Sequence, residues 1–142
     1  MTLFFFLRLV GDLSLFYAVA NAFLCMTSCD VTFVPLIVLS LCGALAYFTA
    51  MSDKVYPAFA GVLGGQKPTI RVRDMTSRWG VCYMKRRQIT FALQLYNMPP
   101  AAQIYVVVHE YCHFLQPNHS PAFWAEVEKL LPDWKERRAL LK

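Results

Sequence analysis

The sequence predicts an α+β chain in which two membrane-spanning helices precede a small domain, a short antiparallel sheet followed by helices. Three observations carry that expectation. Hydrophobic residues make up 57% of the chain and charged residues 16%, more apolar than a globular domain requires. Residues 1–50 hold only Arg8, Asp12 and Asp30 as charges, whereas residues 51–142 hold thirteen basic and seven acidic residues, so the halves carry −1 and +6. Within the second half, apolar spacing changes from period two to the helical period, strands before helices. The expected division is a membrane region over 1–51, a linker over 52–68 and a folded domain over 69–142.

The first apolar stretch, roughly Leu7 to Met26, is interrupted by Arg8 and Asp12. Four residues apart on a helix, the two share a face and can pair, and Arg8 can also reach an interface. A membrane-spanning helix is the preferred reading; a cleaved signal peptide with "AVA" at 18–20 is the alternative. "TSCD" then leaves room only for a tight turn. Residues 31–51, "VTFVPLIVLSLCGALAYFTAM", are uncharged, and as a helix they would extend roughly 30 Å, the thickness of a bilayer core. Strongly basic residues follow this segment, which places the domain on the cytoplasmic side of a multi-pass membrane protein.

After the glycine- and proline-rich connector "PAFAGVLGGQKP", "TIRVRDM" alternates apolar and polar residues and reads as a strand over 69–74. "GVCYM" and "QITFALQL" flank the basic turn "KRRQ" as a hairpin. Pro99 and Pro100 suit the start of a helix of about fifteen residues running to Leu115. Ser120 and Pro121 give an N-cap and first-turn pair for the next helix, Pro132 ends it, and Asp133 opens the last.

All three histidines fall between residues 109 and 119. His109 and His113, four apart on a helix, project from one face about one turn apart, a spacing suited to two positions of a zinc ion. Glu110 follows the first of them and reaches a water rather than the metal, which is the logic of an HExxH site. A catalytic zinc site takes three protein ligands. His119 is the candidate third, because Pro117 and Asn118 break the helix and let the chain fold back. The expectation is one Zn2+ per chain on His109, His113 and His119, with Glu110 moving the proton. Phe123 and Trp124 read as core aromatics, and Trp79 and Gly80 as a core anchor and a strand bend. Cys112 is turned away from the face of 109 and 113.

The stretch 75–138, with "TSRWG", "VVVHE" completed by His113, "NHS" with "FW" after it, and "PDWKERR" in order, resembles the YgjP-like zinc metallopeptidases, which are related to SprT-like and minigluzincin-type peptidases. The resemblance implies a small zincin-like fold, His109, His113 and His119 as metal ligands, Glu110 as catalytic base or acid, and an edge strand that aligns an extended substrate by backbone pairing. Val81, Tyr83 and Ala92 stand where that family tends to small polar residues or Asn. The leading functional expectation is therefore a membrane-anchored zinc peptidase acting on peptides or proteins and in contact with lipid. The alternative is a non-catalytic membrane scaffold stabilised by zinc. Nucleic acid is not expected as a partner, since no stacking platform or basic tail accompanies the positive charge, and the sequence leaves the oligomeric state open. Cysteines at 25, 29, 42, 82 and 112 show no CxxC pairing and no disulfide framework.

Overall fold

The computed structural model describes the backbone of residues 33–141 and side chains from Leu39 onward. A compact unit begins at Leu39 and runs to the C-terminus. The expected span over 7–26 lies outside the described residues.

Helix α1 (Phe33–Val55) covers most of the second expected span, but its described half is directed into protein. Ala44, Phe48 and Ser52, spaced by four, are buried. The Phe48 ring lies 5.0 Å from that of Phe91, the Tyr47 hydroxyl donates to Gln103 Oε1 at 2.6 Å, and Ser52 and Tyr111 share a hydrogen bond at 2.5 Å. The opposite face, including Cys42, Leu45 and Ala46, is exposed. Among the described residues no helix is long and apolar enough to cross a membrane. Hydropathy reports transfer out of water, and here a protein core receives the stripe at 44, 48 and 52. A 3-10 turn (Tyr56–Phe59) follows, and Phe59 is buried 5.1 Å from the Tyr111 ring.

Strands β1 (Thr69–Arg73), β2 (Gly80–Tyr83) and β3 (Gln88–Ala92) form one sheet in the order β1-β3-β2. The hairpin is present, with Arg87 in the left-handed region at φ 47° closing its basic turn. The sheet is mixed, however, and this corrects the antiparallel expectation: β2 is antiparallel to β3, and β1 is parallel to it. The chain leaving β1 reverses into β2, and β3 then returns between the two, restoring the direction of β1. Alternation within each strand signals its faces but not this insertion. Burial of β3 from Ile89 through Ala92 follows from its central place.

Helix α2 (Pro100–Cys112) starts at the predicted prolines and ends three residues before Leu115. Its run Val106–Val107–Val108 is weakly helix-forming, so packing sustains it: the three valines, Tyr111 and Cys112 are all buried. A short amide network fixes its entry. Gln103 Nε2 donates to the carbonyls of Leu95 and Tyr96, at 3.1 and 2.9 Å, while its Oε1 accepts from Tyr47, tying α1, the 3-10 turn Leu93–Asn97 and α2 together. Helix α3 (Pro121–Leu130) is capped as expected, Ser120 Oγ accepting from the Phe123 amide. Helix α4 (Trp134–Ala139) lacks the expected Asp133 side-chain cap; that carboxylate accepts from Arg137 Nε at 2.7 Å instead.

Candidate metal centre

His109 occupies the last turn of α2, His113 is its C-cap, and His119 sits on the loop leading to α3. Backbone bonds from Phe114, Leu115 and Gln116 back to Tyr111 and Cys112 wind the chain down, and Pro117 prevents the helix from continuing. The loop thus returns His119 over the helix end. One nitrogen from each imidazole lies within 4.8 Å of the others, and the Nε2 atoms of His109 and His119 are 2.9 Å apart. The sequence-predicted trio is therefore brought together, and among the described residues no cysteine joins it. Cys112 is fully buried.

The surroundings fit a cation. The Gln116 carbonyl can only accept, so at 3.2 Å it holds the proton on His113 Nδ1 and leaves the lone pair on Nε2. His109 Nδ1 is buried without a partner. Burial, with His113, His119 and Arg138 nearby, pushes His109 down to about 3, and burial also lowers His113. These rings are accordingly neutral bases, the form that binds metal. Phe123 packs 4.7 to 4.8 Å from all three rings, a dry floor beneath them.

Glu110 is only 5% exposed. Burial raises its carboxyl to about 7, opposed by the Cys82 backbone amide and the Arg78 guanidinium. The sheet register explains that amide. The Ala92 amide donates to the Trp79 carbonyl at 2.9 Å, so alternate residues Trp79 and Val81 turn their backbone groups toward β3. Those of Gly80 and Cys82 then face the free edge, where Glu110 lies. A Cβ on Gly80 would stand 2.8 Å from both Cγ and Oε1 of Glu110, well inside contact distance, so glycine is what lets the carboxyl lie against the strand.

His109, Glu110, His113 and His119 all open into a cleft of about 1230 Å³, walled by β2 on one side and by α3 and α4 on the other. Trp124, read from the sequence as core, lines it and stacks on His119 at 5.7 Å and on Trp134 at 4.4 Å. Gly80, Trp134, Arg78 and Arg138 also line it and were not singled out as site residues. Their placement depends on how β2 and α4 dock, for which the local sequence carries no periodic signal.

Three clustered imidazoles beside a buried carboxyl, open to a groove along a strand edge, form a group that could hold a metal ion, and the chain's relatives agree that it is a metallopeptidase. Residues 46–142 match the family described as YgjP-like, metallopeptidase domain. The chain belongs to that family. A solved structure, that of the metallopeptidase zymogen abylysin of Pyrococcus abyssi, is similar with a TM-score of 0.53 and 26% sequence identity, over 63% of this chain and 90% of that one. No curated protein sequence matches the chain.

Proposed function

We propose that the protein is a zinc-dependent peptidase holding one Zn2+ on His109, His113 and His119, with Glu110 as its proton carrier, attached to a membrane through residues ahead of Leu39 and acting on the cytoplasmic side. The observation that carries the catalytic part is the convergence of three imidazole nitrogens within 4.8 Å beside a carboxyl that is almost wholly buried. Zinc is the ion assigned because three imidazoles with an open fourth position form one of its catalytic ligand sets. The apolar residues 1–38, whose only charged residues are Arg8, Asp12 and Asp30, and the basic remainder support the membrane part.

When bound, the metal supplies Lewis acidity to the attacking water and to the scissile carbonyl. Glu110 accepts the proton as that water adds to the carbonyl carbon, then returns it to the departing amine as the C–N bond breaks. Its position, 5% exposed and next in sequence to His109, places the carboxyl where both roles are needed. The free edge of β2 is the natural place for an extended peptide to pair, with Phe123 excluding water from beneath the imidazoles.

Detergent-purified protein, assayed against a diverse peptide library, is expected to cleave, and Glu110→Gln with equal zinc content is expected to lose at least about a hundredfold in rate, the usual weight of a general base. Equal cleavage by both proteins would remove Glu110 from the reaction, and zinc binding without cleavage by either would leave a metal-held scaffold.

A further inference from the structure

Cations wall the cleft on both sides of the imidazoles. Arg138 and Lys135 enter from α4, Arg78 from the segment leading into β2, and all three are exposed. The Arg138 guanidinium carbon lies 5.5 Å from the centroid of the Trp124 ring, which is itself 5.9 Å from the His109 ring and 5.7 Å from that of His119. Lys135 Nζ lies 5.5 Å over Trp134, the ring stacked on Trp124. Among the described residues the ion pairs join Lys67 to Asp53, Lys129 to Glu126 and Arg137 to Asp133, and include none of these three cations. Among the described residues Glu110 is the only acid lining the cleft, and the proposed reaction commits it to proton transfer.

We propose that this cleft selects acidic peptides, with Arg138 receiving a Glu or Asp side chain of the substrate on the His109 side and Arg78 reinforcing the same preference from the Glu110 side. The inference deepens the peptidase reading and rests on it. A guanidinium held over an aromatic plane keeps its N–H edge free and oriented as a fork for a carboxylate. The tryptophan rings beside it are low-dielectric walls that focus the field of the three cations into the groove. A neutral peptide leaves those charges solvated, and a basic one meets repulsion at each.

The test uses the zinc-loaded full chain and matched fluorogenic peptides carrying Glu, Gln or Lys at each position flanking the scissile bond. At low salt, kcat/KM for the Glu peptide is expected to exceed that of its Gln twin by about tenfold at one position or more, with Lys lowest, and the ratio to shrink as salt rises. Arg138→Glu should reverse the Glu-over-Lys ranking. Should that variant fail to fold, Arg138→Gln should bring the Glu to Gln ratio toward one. The same peptides, labelled and titrated into Glu110→Gln protein by fluorescence anisotropy, read the preference without turnover. Cleavage with a ratio near one, or equal binding of the Glu and Gln peptides, overturns the acidic preference and leaves the peptidase standing. Absence of cleavage together with selective binding of the Glu peptide sinks the peptidase reading alone. Displacement of the Glu peptide by a single-stranded oligonucleotide of higher affinity also overturns the inference, because the cations then serve phosphate.

Discussion

Position 80 controls the carboxyl of Glu110 through a missing atom. A methyl group there would meet the Glu110 side chain at 2.8 Å, and since β2 is held by β3, the carboxyl is the part that yields. Gly80→Ala is expected to lower kcat by about a hundredfold, the scale of a misplacement of about an ångström, while KM and zinc content stay near those of the parent. Steady-state kinetics with metal analysis checks this, and an unchanged kcat would show that the strand moves instead. The four residues His109, Glu110, His113 and His119 were legible in the sequence because helix geometry and a proline-broken turn relate them locally. Gly80 read only as a strand bend because its role comes from Glu110, far along the chain, and Trp124 only as core because the cleft it lines is formed by the docking of β2 and α4.

Among the elements, α1 shows most plainly what hydropathy leaves undecided. An uncharged run of this length reads as a membrane span, whereas Ala44, Phe48 and Ser52 of this helix are buried in the protein, Phe48 against β3 and Ser52 against α2. A chain beginning at Leu39 is therefore expected to fold and to remain in the supernatant after membranes are sedimented, whereas one beginning at Thr69 should lack cooperative unfolding, having lost Phe48 and Phe59 from the core. Removing one such phenylalanine side chain costs about 3–5 kcal/mol, a large share of what holds a domain of this size. Circular dichroism melts of the two chains decide the matter, and a cooperative melt for the shorter one would show that α1 is dispensable. The strands and the helices of the domain were legible from their periods, their prolines and the Ser120 cap, although the Asp133 side chain makes no cap. The order of the sheet was not, because β3 inserts between β1 and β2 through long-range pairing that no local pattern encodes.

At the scale of the whole domain, bound metal and folding are linked, because the ligand geometry exists only in the folded chain. An ion present at a thousand times its dissociation constant stabilises by about 4 kcal/mol, and for a domain of this size each kcal/mol moves the melting midpoint by about 4–8 °C. Chelation is thus expected to lower the midpoint by at least about 10 °C, and restored zinc to return it; scanning calorimetry with and without chelator measures this, and an unmoved midpoint would mean that the imidazoles hold no ion. The seating of the three histidines gives this linkage a further meaning. Two are mounted on the end of a core helix, and the third rides on the short loop that also delivers Ser120, the cap of α3. An ion held there would be a buckle as well as a reagent, tying the loop and the first turn of α3 to the end of α2. Removing it would release that tie, so loss of the ion would reach the α3 wall of the cleft as well as the proposed chemistry.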